Sequence, residues 1–343
     1  MPYLIGHPYL SYYISHLHLD VVAFLGINLF FVLSAFLITF LIYEERLATG
    51  QFSFTKYYLR RTLRIWPLYF FIVFCGFVLV PAFKHLQGIQ YQETANVWYY
   101  IFFISNFHII YLGEPFSPVL AVLWTAAAEE QFYLVWPILN TIFSKGREII
   151  LFLILIAGSL LFRYFHLTNG REIYFNPLSI MSDFGIGGLI AYMSFKKNRL
   201  FQFLSGLSKG IIAAIYLCIL LLVCFEFKIF HYSVLYVFER CIWGLFTGFI
   251  IFEQCFCKNS LFKVGNVKLF DELGKRSYGL YCFHQIGILG AINILRYSTR
   301  FNFSLHQLYT EPLLALSITV VLAYLSYSYF EMPFLKLKNK FGF

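Results

Sequence analysis

Charged residues are scarce in this sequence. They make up 13% of its 343 residues, against roughly 25% in an ordinary soluble protein. That scarcity excludes a conventional water-facing surface along the whole chain. Several catalytic signatures are missing too. There is no H-E-x-x-H, no P-loop, and no G-x-S-x-G between a strand and a helix, so zincin, nucleotide-hydrolysing and α/β-hydrolase readings have no starting point. Cysteines number seven, and only Cys255 and Cys257 lie close together. Their C-x-C spacing lacks the C-x-x-C pairs of a zinc site. The cysteines therefore read as small buried hydrophobes, and no metal is expected. No repeat or low-complexity tract stands out. The first residues lack the basic start and small cleavage-type residues of a signal peptide.

Apolar residues are what the chain has in abundance. They form 60% of it, with 43 Phe and 26 Tyr, and the mean hydropathy is +0.71. Apolar segments recur at roughly 21–43, 66–83, 97–112, 119–143, 149–165, 178–195, 211–227, 236–256, 277–294 and 312–333. Each approaches the length of about 20 residues that a membrane-spanning helix needs. The expected fold is an all-α, polytopic helical membrane bundle. Met1 to Asp20 carries His7, His16 and His18 and is too short to span before the next segment, so it reads as the tail end of a helix. The sequence ends about ten residues after the last segment, and no appended soluble domain is expected.

The net charge of +9 needs no nucleic-acid partner, because Lys and Arg collect in the cytoplasmic loops of membrane proteins. The rich loops are 44–64, 144–148 (Lys145, Arg147), 196–210 and 257–276, and the tail adds Lys336, Lys338 and Lys340. All of them, with the C-terminus, are expected on the cytoplasmic side. Three apolar segments separate loop 44–64 from loop 144–148, yet two loops on one side require an even number of crossings. One segment should therefore not cross. Segment 97–112 is short, carries Asn106 and His108, and runs into Gly113, Pro115 and Pro118. Polar, bent backbone at membrane depth is tolerated where it is buried in protein or lines a cavity. The expectation is about nine full spans, one re-entrant element at 97–118 on the outer side, and a partial first helix.

The basic loop holds KYYLRRTLRIWP at 56–67. Arg61 and Arg64 are spaced to share one helix face, and Tyr57, Tyr58 and Trp66 flank them as interfacial aromatics do. Arg60, Arg61 and Arg64 either fix orientation or bind the phosphates of an anionic donor. Glu129 and Glu130 lie in the apolar stretch LWTAAAEEQFYLVWP. Ionisable groups inside a membrane segment are costly and are functional candidates. Adjacent residues point about 100° apart, so one of the two is expected to face the bundle. His284, about two turns in from Arg276, is either a ligand-binding group or a structural histidine bonded to a neighbouring helix. Arg163 and Arg240 read as snorkelling residues near the outer face. Asp183, in SDFGIGG, begins a helix whose glycines permit close packing. Glu331 is read with Pro333 as a helix stop. On these features alone, an enzyme and a transporter are not separated.

Five stretches together resemble the membrane-bound acyltransferase-3 family, the O-antigen acetylase-like proteins. They are GINLFFVLSAFLITFLIYEE (26–45), YYLRRTLRIWPLYF (57–70), LWTAAAEEQFYLVWP (123–137), GKRSYGLYCFHQ (274–285) and SYSYFEMPF (326–334). Their order covers nearly the whole chain, so residues 1–343 read as one transmembrane domain of that kind. The resemblance implies an integral membrane O-acyltransferase of the cell membrane. It would move an acyl group, usually acetyl from acetyl-CoA, to a hydroxyl of a glycan or similar extracytoplasmic acceptor, with membrane lipid as its other partner. It further implies that Arg61 and Arg64, beside Arg60, hold the CoA phosphates, and that Glu129 sits at the catalytic cavity with Glu130 and His284 as substrate-binding groups. The family's catalytic histidine maps to His7, with His16 and His18 closer to the next motif. Three departures stand out. The family's arginine before that histidine would precede residue 1, Ala35 stands where glycine is usual, and Thr125 stands where serine is usual. The competing readings are a transporter or flippase of a lipid-linked or acylated sugar, and a truncated, inactive relative.

Overall fold

The computed structural model describes residues 19–144, 146–230, 233–297 and 309–340. His7, His16, His18 and Lys145 lie outside them. Among the described residues the secondary structure is helical and contains no strand. Eight stretches among the described residues are long and apolar enough to cross a membrane: Val21–Thr49, Phe54–Leu86, Glu148–Phe165, Gly170–Lys196, Lys209–Ile229, Val234–Phe256, Ser277–Leu295 and Glu311–Leu337. The chain is a multi-pass helical membrane protein. The ninth expected span, 119–143, forms a helix of 20 residues, Leu123–Ile142. At about 1.5 Å per residue it is also long enough to cross. Its polar run Glu129-Glu130-Gln131 makes it less apolar than the other eight.

The chain runs α1 (Leu19–Thr49), α2 (Phe54–Phe74), a π-helical turn at Cys75–Leu79, and α3 (Val80–Leu86). Short helices α4 (Val97–Ile101), α5 (Ser105–Leu112) and α6 (Pro118–Ala121) lead into α7 (Leu123–Ile142). Then come α8 (Glu148–Phe165), α9 (Gly170–Phe175), α10 (Pro177–Lys196), α11 (Arg199–Ser205), α12 (Lys209–Ile229) and α13 (Ser233–Phe256). The remainder is α14 (Lys268–Lys275), α15 (Ser277–Tyr297), α16 (Glu311–Leu325), a second π-helical turn at Ser326–Glu331, and α17 (Met332–Lys340). Starts are marked by capping chemistry. Asn176 accepts from Leu178 N with Pro177 at the first position, and Asn198 and Ser208 cap α11 and α12.

The expected basic loop 44–64 is not a loop. Only residues 50–53 separate α1 from α2, and Ser53 caps α2 by accepting from Lys56 N. Arg60, Arg61 and Arg64 therefore lie on the first turns of a helix, because nothing in 54–66 competes with helical backbone. Segment 97–112 is broken as its polar residues suggested. α4 and α5 contain 5 and 8 residues, about 8 and 12 Å of helix against a core of about 30 Å. The break is at Phe103, whose φ is 56°.

Two compact units emerge. One joins the described residues up to Phe52 with Phe132–Asn266, and the other joins Ser53–Gln131 with the described residues from Val267 on. In the first, α1, α8, α10 and α13 pack closely. A Cβ at Gly187 would lie 2.2 Å from the Val32 carbonyl and 2.8 Å from Ala35 Cβ, so α10 meets α1 backbone to backbone. Ala35, standing for the usual glycine, is small enough for that contact. The Trp136 indole N–H donates to Thr39 Oγ1 at 2.9 Å, and Phe132 stacks on Phe184 at 3.8 Å between centroids.

This unit overturns the snorkelling reading of Arg163 and Arg240. Both are buried, at 1% and 0% exposure. Arg240 Nε donates to Asp183 Oδ2 at 2.9 Å, and its guanidinium lies over the rings of Phe24 and Phe31 at 5.6 and 5.5 Å. Arg163 donates to the Val237 and Tyr236 carbonyls, to Ser179 Oγ and to Glu239 Oε2. An arginine near a helix end has no need to snorkel to water when a carboxylate on a packed neighbour pairs with it in place.

The second unit is built on α2, α15, α16 and the two π-helical turns. A Cβ at Gly287 would lie 2.2 Å from Thr319 Oγ1 and 2.7 Å from the Ala315 carbonyl, which fixes the approach of α15 to α16. Glu331 does not end the last helix. The helix passes through the turn Ser326–Glu331 and continues to Lys340. Pro333 lies inside this continuous helix, two residues past the π-helical turn, the kind of local irregularity that accompanies a proline within a helix. The cysteines divide: Cys75, Cys257 and Cys282 are buried, whereas Cys218, Cys224 and Cys255 face outward. Outward thiols on apolar helices correct the reading of all seven as core.

Candidate active site

All of the site residues described here belong to the second unit. Glu129 and Glu130 are both buried, at 3% and 6% exposure, where the helical spacing gave an inward place to only one. The reason is α2. Its Tyr57 interacts electrostatically with both carboxylates, and Trp66 donates its indole N–H to Glu130 Oε2 at 3.1 Å. Aromatic side chains on one helix thus cover two directions about 100° apart on another. Trp66 is not simply an interfacial flank. The other oxygen, Glu130 Oε1, is buried and accepts no hydrogen bond.

Arg61 is half-buried and acts electrostatically on Glu130 and on Tyr57. Arg64, one turn on, is exposed and acts on Glu331. Glu331 is held by the Ser326 hydroxyl at 2.8 Å. Arg60 is half-buried on the same helix. The spacing therefore brings Arg61 and Arg64 to carboxylates of two different elements.

Gln131 completes the polar run. Its amide donates to the Phe103 carbonyl at 2.7 Å and to Asn106 Oδ1 at 2.8 Å. The broken segment and its approach carry further bonded polar groups. His108 Nε2 accepts from Asn96 N at 3.1 Å. Glu93 accepts from the backbone N–H groups of Thr94, Ala95, Phe116 and Ser117 at 2.9–3.0 Å and from the Tyr91 hydroxyl at 2.6 Å. This one carboxylate fastens both ends of the stretch 94–117. Thr125, in place of the usual serine, keeps the hydroxyl: it bonds Tyr281, and both reach the Val122 carbonyl. His284 bonds the Tyr281 carbonyl within its own helix and Gln285 at 3.2 Å, not a neighbouring helix. Its link to the site runs through Tyr281.

The arrangement offers a buried carboxylate oxygen able to accept a proton and guanidinium groups able to hold an anion. No group of three His, Cys, Asp or Glu placed to hold a metal occurs among the described residues. Sequence reading missed Trp66 as a donor to Glu130, and missed Gln131 and Phe103 altogether. The run Glu-Glu-Gln in an apolar helix was a usable signal for Gln131. Nothing in the sequence announced the backbone of Phe103.

Comparison with known proteins adds the following. The profile of the acyltransferase-3 family, described as an acyltransferase domain, matches residues 2–331. The chain is 25% identical over 340 residues to the peptidoglycan O-acetyltransferase OatA of Listeria monocytogenes, covering 91% of this chain and 51% of that protein. It is 27% identical over 338 residues to the O-acetyltransferase OatA of Staphylococcus aureus, covering 91% and 53%. The chain thus spans about half the length of the curated relatives it matches. No solved structure matches.

Proposed function

Since the chain belongs to the acyltransferase-3 family, we propose that it is an integral membrane O-acyltransferase carrying acetyl from cytoplasmic acetyl-CoA to a glycan hydroxyl outside the membrane. The observation that carries this reading is Glu130, a buried carboxylate with one free oxygen beside Arg61. The names of the relatives favour a peptidoglycan-type sugar as acceptor. Residues 1–343 act as one domain in this reading.

Arg60, Arg61 and Arg64 bind the CoA phosphates as charge-assisted, forked contacts. The acceptor hydroxyl oxygen bonds to the thioester carbonyl carbon, its proton passes to a base, and the C–S bond breaks to release CoA as its thiol. Glu129 and Glu130 serve the acceptor, and His284 lines the site through Tyr281. His7, outside the described residues, is the family-motif histidine and takes the role of base or acyl relay. The rich loops and the C-terminus face the cytoplasm, and 97–118 enters and leaves on the outer side.

The test is incorporation of label from acetyl-CoA into cell-wall glycan by membranes carrying the protein. Transport of an acetylated sugar without net transfer would favour the flippase reading. Cysteines placed at Gln90 and Glu114, away from the Glu93 carboxylate, should both react with an impermeant thiol reagent from outside. Reaction of position 114 only after permeabilisation would overturn the re-entrant assignment.

A further inference from the structure

Phe103 is where segment 97–112 breaks, and its φ of 56° is in the left-handed region that a bulky side chain rarely adopts. Such a backbone persists only when its surroundings over-determine it. Here they do. The Phe103 ring stacks on Tyr69 at 4.2 Å and lies 5.4 Å from Trp66 and 5.5 Å from Phe70. The Tyr69 hydroxyl donates to the Tyr100 carbonyl at 2.9 Å, just before the break. The Gln131 amide takes the Phe103 carbonyl and, on the far side of the break, Asn106 Oδ1.

These contacts close a circuit. Trp66 donates to Glu130. Phe103 packs against Trp66. Gln131 holds the Phe103 carbonyl, and Gln131 is the residue after Glu130. The carboxylate is thereby gripped twice, at one oxygen by the indole and at its backbone by the neighbouring amide, while Oε1 stays unbonded.

We propose that Trp66, Gln131 and Phe103 are positioning residues that fix Glu130 with Oε2 occupied and Oε1 presented to the reacting hydroxyl. This rests on the reading of Glu130 as a carboxylate serving the acceptor. Ordinary core packing explains the ring contacts but not a phenylalanine held at positive φ, nor one amide spent on both sides of a break. A reacting group needs placement to a fraction of an ångström, and a shift of about 1 Å can cost roughly 100-fold in rate.

The experiment is a double-mutant cycle in membranes. Trp66→Phe and Gln131→Ala should each lower kcat by about 10- to 100-fold, with KM for acetyl-CoA unchanged within about 2-fold. In a Glu130→Gln background the same substitutions should cost no further rate, because they act through that carboxylate. Losses that multiply in that background, or that fall on KM alone, would overturn the proposal. Phe103→Gly relaxes the left-handed backbone but removes a buried ring, so its rate is read per folded molecule, and kcat should fall. Full kcat in that variant is also fatal to it. An activity-free readout separates this inference from its parent. The carboxylate infrared band lost in Glu130→Gln should move in Trp66→Phe and Gln131→Ala. Movement of that band in a protein that transfers no acetyl would sink the function and keep the clamp. A fixed band would sink the clamp whatever the activity.

Discussion

The two units bury charge in opposite ways. In the first, Arg240 meets Asp183 and Arg163 meets Glu239, so each buried cation has a buried anion. In the second, Glu130 is bonded by a neutral indole and keeps a free oxygen. Taking an ion out of water costs several kcal/mol, and a close opposite charge offsets most of it. The paired cluster spends its charge on itself and fixes how α8, α10 and α13 pack. Asp183 Oδ1 and Glu130 Oε1 are both buried without a hydrogen bond, but Glu130 is bonded by an indole in place of a guanidinium, which is a poor way to stabilise a helix bundle and a suitable way to hold a reacting hydroxyl. Buried charge by itself does not distinguish architecture from chemistry; whether it is bonded to a full opposite charge or to a neutral group does.

The comparison breaks most visibly at Glu130. Glu130→Gln keeps the shape and should lower transfer by about 100-fold or more, the cost of misplacing the acceptor hydroxyl, with folded yield in detergent unchanged. Equal activity would make this carboxylate structural, like Asp183. Arg240→Ala should do the reverse. It strands Asp183 at 0% exposure and should cost about 3–5 kcal/mol of stability, read as a fall in the thermal unfolding midpoint. Specific activity per folded molecule should persist. The double replacement Asp183→Leu with Arg240→Met should recover most of that stability, since an apolar pair of similar volume often substitutes for a buried ion pair.

Next in size are the arginines of α2. Arg61→Ala and Arg64→Ala should each weaken acetyl-CoA binding by roughly 10- to 100-fold, the worth of a charge-assisted hydrogen bond of about 1.5–3 kcal/mol. Titration of acetyl-CoA against purified protein measures it. Lysine should rescue only partly, because it lacks the forked geometry. Unchanged affinity in the double variant would assign both arginines to Glu130 and Glu331 alone. The smallest effect is at Arg163. Arg163→Lys keeps the charge beside Glu239 but cannot reproduce donation to two carbonyls and a hydroxyl as well. It should cost about 1–2 kcal/mol in stability and leave transfer unaltered.

Much of this was legible in the sequence. Long apolar runs can satisfy their backbone only as helices, so the helical membrane architecture followed from composition and length. The polar, Gly- and Pro-bounded stretch 97–118 was readable as irregular, and in the structure residues 97–112 form two short helices broken at Phe103. Family motifs marked the arginines and the two glutamates. Burial of both Glu129 and Glu130 was not legible, because periodicity describes one helix and says nothing of how wide a wall faces it. Tyr57 and Trp66 supply that wall from another helix. Arg163 and Arg240 were misread for the same reason: a terminal arginine on an isolated helix snorkels, and only a packed neighbour carrying Glu239 or Asp183 changes the outcome.

By itself the sequence determined which segments are helical, which residues carry charge into an apolar setting, and which family the chain belongs to, because these depend on local chemistry and on motif order. Tertiary structure decided the partners. It set Asp183 against Arg240, Trp66 against Glu130, and Gln131 against a strained Phe103, contacts 57, 64 and 28 residues apart. The free energy of a buried polar group is fixed by the atom it meets across a helix interface, and that atom is chosen by packing, not by the residues beside it in the chain.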